Sequence, residues 1–96
     1  MARNYAKQKG TEREHRSMQL LEAAGYRCTR SGGSLGVFDI IGISSAGLVL
    51  VQVKSRDWPG HVEMEAIRSF PCPANGKKLL HRWKDYARIP DVKEVP

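Results

Sequence analysis

The spacing of apolar side chains changes from helical to extended and back along the chain. From Thr11 to Ala24 they recur at helical spacing, with Met18, Leu21 and Gly25 on one stripe and Leu20 and Ala24 beside it. Thr11, followed three residues later by Glu14, reads as a capping box, and Gly25 reads as a stop. Tyr26 to Thr29 then predicts a short strand, and RSGGSLG at 30–36 a flexible loop. Val37 to Ile43 and Leu48 to Ser55 are rich in β-branched residues and predict two strands joined by the four-residue turn Ser44 to Gly47. Both faces of each strand are apolar, which requires cover on both sides of the sheet. His61 to Phe70 predicts a second helix, with Val62, Ala66, Ile67 and Phe70 on one side, and PCPANG at 71–76 breaks it. Lys77 to Ala87 fits two templates. Leu79, Leu80, Trp83, Tyr86 and Ala87 suit a helix, which the periodicity slightly favours, whereas Leu79 to Trp83 suits a strand that extends the sheet. The order of elements predicts one small mixed α/β domain with helices flanking a single sheet.

Composition narrows the partners. The chain has 96 residues, enough for one small domain over 11–96 preceded by a basic flexible arm at 1–10. A core of that size is modest, so a partner subunit would help it. The net charge is +6 and the pI near 9.7. Arg3, Lys7, Lys9, Arg13 and Arg16 crowd the start, and Lys77, Lys78, Arg82, Lys84 and Arg88 the end. Clustered positive charge favours a polyanionic partner, most often nucleic acid, over the plainer use of charge for solubility. No apolar run reaches the length of a membrane span, and the basic N-terminus is not followed by an apolar signal core, so the expected location is the cytoplasm. Cys28 and Cys72 match no metal-knuckle spacing and read as free thiols. His15, His61 and His81 are scattered and read as surface groups. Trp58 and Trp83 read as packing residues, with base stacking as the rarer use.

The stretch FDIIGISSAGLVLVQVKS, Phe38 to Ser55, carries three polar groups in an otherwise apolar hairpin: Asp39, Gln52 and Lys54. With Ile43 opposite Leu48 across the turn, Asp39 falls opposite Gln52, and Lys54 points to the same face two residues on. A carboxylate and an amide oxygen at that distance suit a hard cation such as Mg²⁺. A bound water would become the better nucleophile, and Lys54 would position it or neutralise developing charge. Glu14 lies on the stripe of Met18 and Leu21 and would point toward the same place, whereas Glu12 and Glu22 do not share that stripe. The plainer readings are a cap for Glu14 and a buried Asp39–Lys54 salt bridge with Gln52 beside it.

On these residues the sequence resembles the PD-(D/E)xK nuclease superfamily, and within it the archaeal-type Holliday-junction resolvases. Glu14 matches the acidic residue of the first helix, Asp39 the strand aspartate, and Gln52-Val53-Lys54 the (D/E)-x-K element. Lys9-Gly10-Thr11 resembles the family's helix entry, and Arg30-Ser31-Gly32-Gly33-Ser34 its glycine- and serine-bearing loop that approaches DNA. The likeness covers residues 7–57. It implies an α-β-β-β-α-β restriction-endonuclease-like core with a central mixed sheet, which favours the strand over Lys77 to Trp83. It also implies a homodimeric, Mg²⁺-dependent DNA endonuclease, with Mn²⁺ able to substitute and no small-molecule cofactor. Asp39, Gln52, the Val53 carbonyl and Glu14 would hold the metal, and Lys54 would assist the water. Arg3, Lys7, Lys9, Arg30 and Arg56 would hold the phosphate backbone, with Ser31 and Ser34 in the DNA-facing loop. Phe38 replaces the Pro of the motif name, and Gln52 replaces the usual acid. An amide offers a dipole where a carboxylate offers a charge. A non-catalytic nucleic-acid-binding module with a decayed site therefore stands as the alternative, and a structural interaction protein as a third reading.

Overall fold

The computed structural model describes residues 5–96, with side chains from Gly10 onward. Seven elements follow one another: α1 (Tyr5–Ala23), β1 (Arg27–Leu35), β2 (Phe38–Ser44), β3 (Gly47–Ser55), α2 (His61–Ser69), β4 (Gly76–Trp83) and β5 (Asp91–Val95). The strands form one sheet in chain order, antiparallel except where β3 and β4 run parallel. A parallel pair needs a crossover, and α2 provides it. The result is the small α/β domain with a mixed sheet and flanking helices that the pattern predicts.

The sheet is covered on both faces. On one side Phe38, Leu50, Leu80 and Val95 pack with Ile67 of α2. On the other, Ile40, Val49 and Val51 pack with Leu21 of α1. β4 divides its side chains between these layers. Leu80 belongs to the α2 side and Leu79 to the α1 side. A strand buried on both faces loses its polar–apolar alternation, which is why Leu79, Leu80 and Trp83 imitate a helical stripe. β5 is an element that the sequence pattern does not predict. Its sequence DVKEV is mostly charged and exposed, as suits an edge strand.

The elements depart from expectation in four places. α1 begins at Tyr5, so residues 5–10, expected in the arm, are its first turns. The run YAKQK consists largely of good helix formers, and Thr11 and Glu14 fall inside the helix, where no capping box forms. The buried stripe of α1 is Arg13, Ser17 and Leu21, while Leu20 is exposed and Met18 lies at the margin. In α2, Val62 and Ala66 face solvent, and Ile67 carries the buried contact. Finally, the expected 30–36 loop is the second half of β1. Its register slips between Arg30 and Leu35. Gly32 and Gly33, at φ 59° and 88°, let the strand bend rather than end.

Two buried polar groups fasten the helices. Ser17 is fully buried; its Oγ accepts from Trp83 Nε1 at 2.8 Å and lies 2.9 Å from His81 Nδ1. The hydroxyl proton is then available to Nδ1, which fits a neutral ring, and burial lowers the His81 pKa to about 4. His81 is therefore an interior residue, not the surface group expected, and Trp83 packs in the core. On the other face Lys78 reaches the end of α2 and donates to the carbonyls of Ile67, Arg68 and Phe70 at 2.9, 3.0 and 3.2 Å. An ammonium there satisfies carbonyls the helix leaves open and complements its dipole.

Candidate active site

The hairpin forms in the expected register: Ile43 faces Leu48, and the pairing runs on to Ile40 and Val51. Gly47 can serve the turn because its φ is 148° and Asn75 O lies 1.7 Å from where a Cβ would stand. Beyond Ile40 the two strands stop pairing residue by residue. Phe38 packs on the α2 side although Ile40, two residues later, packs on the α1 side, so the alternation of β2 breaks at Asp39. The Asp39 carboxylate replaces the missing backbone contact. Its Oδ2 accepts from Val53 N at 2.8 Å.

That break modifies the expected convergence. Gln52 and Lys54 do share one face, but their partner is Glu63 in the first turn of α2. Gln52 Nε2 donates to Glu63 Oε2 at 2.8 Å, and Lys54 Nζ lies 3.3 and 3.4 Å from Glu63 Oε1 and Oε2. The ion pair of Lys54 is thus with Glu63, not with Asp39. From the sequence, Asp57, Glu63 and Glu65 read as too dispersed to form a metal site, so Glu63 has no expected role. The signal was its place two residues after the start of the crossover helix, where α2 passes over β3.

On the α1 side, Glu14 is mostly covered and accepts from Arg30 Nε at 2.7 Å. Asp39 lies in the field of Glu14 on α1, Lys54 on β3 and Arg30 on β1. Burial raises its pKa above the usual carboxylate value, the Val53 amide opposes that, and Glu14 adds to the rise while Lys54 and Arg30 reduce it. Glu14, Asp39 and Lys54 are therefore electrostatic neighbours.

Gln52 is nearly fully buried, and its Oε1 has no hydrogen-bond partner. Glu63 requires the amide nitrogen on its own side, which leaves the oxygen without a donor. A buried acceptor left alone is costly, and a hard cation or a metal-bound water would satisfy it. The oxygen donors here thus fit a Mg²⁺-type ion. Among the described residues no three His, Cys, Asp or Glu side chains cluster as a ready metal group, so the amide and a backbone oxygen would have to complete the set.

The residues expected to meet nucleic acid are scattered around this centre. Arg30 is partly exposed and held by Glu14, and Ser31 Oγ donates to Phe38 O at 2.6 Å. Ser34 is exposed on β1. Arg56 follows β3 and is bound by Asp85 at 3.2 Å, with its side chain largely exposed. Arg3 lies outside the described residues, as do the side chains of Lys7 and Lys9. Trp58 is flanked by Arg82 at 4.4 Å and Lys93 at 5.9 Å and so is spoken for within the chain. No helix is long and apolar enough to cross a membrane among the described residues.

No protein-family model matches the sequence, and no curated protein matches it significantly. Among solved structures the chain is similar to Hjc of Archaeoglobus fulgidus, a Holliday junction resolvase from an archaeal hyperthermophile. The TM-score is 0.68 at 21% identity, over 92% of this chain and 72% of that one. At that identity the likeness establishes the fold.

Proposed function

We propose that the protein is a metal-dependent DNA endonuclease that hydrolyses phosphodiester bonds in branched, Holliday-junction-like DNA. What supports the reading is that Asp39, bonded to Val53 N, Lys54, and a buried Gln52 Oε1 without a partner all belong to the stretch where β2 and β3 stop pairing, on a fold like that of a resolvase. Asp39, Gln52 Oε1 and the Val53 carbonyl would hold Mg²⁺ or Mn²⁺, with Glu14 joining directly or through water. When bound, the ion would make a water more acidic and stabilise charge on the phosphoryl oxygens.

The chain's own groups do the rest. Asp39 is raised by burial and by Glu14, so its carboxylate favours a nearby positive charge. Lys54, held between the sheet and Glu63, presents an ammonium that orients the attacking water or neutralises the charge gathering on the phosphate. Glu63 keeps a carboxylate beside Gln52, in contact with the amide that replaces the motif's acid. Arg30, Ser31, Ser34 and Arg56, with Arg3, Lys7 and Lys9, would contact the DNA backbone. A homodimer would bring two such centres to two strands of one junction.

A specific observation supports the second reading, a binding module without catalysis: the Gln52 amide is engaged by Glu63, and among the described residues no three His, Cys, Asp or Glu side chains cluster. A cleavage assay on four-way junction, duplex and single-stranded DNA with Mg²⁺ or Mn²⁺ separates the two. The nuclease reading expects wild type to cut junctions and Lys54→Ala to bind them without cutting. Binding by both proteins with no cleavage of any substrate sinks the nuclease reading and leaves the binding module.

A further inference from the structure

Beside the candidate centre, a cleft of about 430 Å³ is lined by Glu12, Arg13, Arg16, Arg56, Asp85 and Tyr86. Three guanidinium groups face two carboxylates, so the cleft is positive on balance. Arg56 follows Lys54 by two residues, about 7 Å of extended chain. Arg13 precedes Glu14 on α1. The cleft therefore adjoins, along both β3 and α1, the stretches that carry the groups assigned to chemistry.

The backbone singles out the same place. Among the described residues, two non-glycine residues have left-handed backbone, Arg56 at φ 70° and Tyr86 at φ 64°. Both line this cleft. A bulky side chain in that region is strained, and strain retained outside glycine gathers at sites of function. Tyr86 sits in a turn closed by Ala87 N donating to Lys84 O at 3.1 Å, at a position where glycine or asparagine would be at ease. Its ring is fully exposed, so packing does not explain the strain.

The turn is held from several directions. Arg13, itself buried, donates to Asp85 at 3.0 Å, and Arg56 donates to the same carboxylate at 3.2 Å. Arg16 donates to the carbonyls of Ala87 and Arg88, both at 3.1 Å, while its guanidinium lies 4.4 Å from the Trp83 ring. The Tyr86 turn is thus braced from several sides, and Asp85 orients the guanidinium groups of Arg13 and Arg56.

We infer that this cleft binds one unstacked nucleotide of a branched or single-stranded DNA, its base against Tyr86 and its phosphate on Arg56, with the buried Arg13 adding positive charge behind it. An exposed aromatic ring on a braced turn beside guanidinium groups suits a nucleotide that offers both a π-face and an anion. Bases in a continuous duplex are already stacked, so the cleft favours the open bases at branch points and flaps. The inference rests on the nucleic-acid reading above and specifies its substrate class: DNA with accessible bases.

The test is fluorescence anisotropy of the full chain, in EDTA so that nothing is cut, with a four-way junction, a flapped duplex and a continuous duplex of equal length. Tyr86→Ala is expected to weaken junction and flap binding about tenfold and leave duplex binding nearly unchanged. Tyr86→Phe should bind as wild type does. Tyr86→Gly should bind as poorly as Tyr86→Ala while melting at a higher temperature than wild type, because glycine relieves the backbone. Unchanged junction binding by Tyr86→Ala, an equal loss on the duplex, or no DNA binding by wild type overturns the inference. Binding through Tyr86 without any cleavage under Mg²⁺ keeps the inference and removes the nuclease reading instead.

Discussion

Restoring the motif's acid at position 52 should destabilise the protein in the absence of metal. In the wild type the Gln52 amide donates to Glu63 Oε2 at 2.8 Å from a nearly fully buried position. Gln52→Glu turns that hydrogen bond into a contact between two carboxylates. Two like charges at that separation repel by about 6 kcal/mol at an effective dielectric constant of about 20. Two features reduce the penalty. The Glu63 side chain is 42% exposed and can turn toward water, and Lys54 lies 3.3 Å from it. The expected loss at neutral pH is therefore about 1–3 kcal/mol. It should shrink as acid protonates one carboxylate of the pair, since the repulsion raises that group's pKa. Urea denaturation with EDTA measures it, and the double variant Gln52→Glu/Glu63→Gln should recover most of it, the amide now being supplied from α2. Mg²⁺ should stabilise Gln52→Glu more than wild type, because a charge binds the ion better than a dipole. If the single variant is as stable as wild type, or the double variant recovers nothing, the Gln52–Glu63 contact does not have the role assigned to it.

Other expectations are more direct. His81 has a folded pKa of about 4 against an ordinary 6.5, so the stability tied to its neutral form is fully present above pH 6.5 and is lost as pH falls toward 4. The loss should total about 3 kcal/mol, and thermal melts across that range should flatten in His81→Asn, whose amide oxygen can still accept from Ser17. Lys78→Met keeps the apolar stem but leaves three α2 carbonyls without their ammonium, which should cost about 2–3 kcal/mol by urea midpoint. Asp39→Asn should end cleavage while junction binding stays near wild type in gel-shift titrations. DNA affinity should fall steeply and linearly on a log–log plot against salt, and a flat response would argue against phosphate-dominated contact.

The hairpin was legible because turn length and β-branched runs fix register, and its Ile43–Leu48 pairing carries through to Ile40. The two-sided cover of the sheet followed from the same apolar run. What failed was local pattern where tertiary contacts override it. β4 hides its period because both faces are buried. α1 buries an arginine and a serine, Arg13 and Ser17, that a hydrophobic-stripe reading assigns to water, because their partners Asp85, His81 and Trp83 are far along the chain. Glu63 was missed for the same reason: its meaning comes from a crossover that places it over Gln52 and Lys54. Asp39 was found, but the break in alternation that turns it toward Val53 N depends on how Phe38 packs against Phe70 and Ile67, which no spacing reveals.

The nine residues of α2 are too few to hold a helix alone. They are fixed at both ends by side chains from the sheet: Gln52 and Lys54 grip Glu63 in the first turn, and Lys78 grips the carbonyl of Ile67 one turn later. The helix therefore works as a gauge. Its surface identities at Glu65 and Ala66 are free to vary, but its residue count between the two grips is not. One inserted or deleted residue there would rotate the far end by about 100° and shift it by about 1.5 Å. Either Glu63 would leave the amide and the ammonium, or Ile67 would leave the core. Drift in composition should be tolerated along this segment, and drift in length should not.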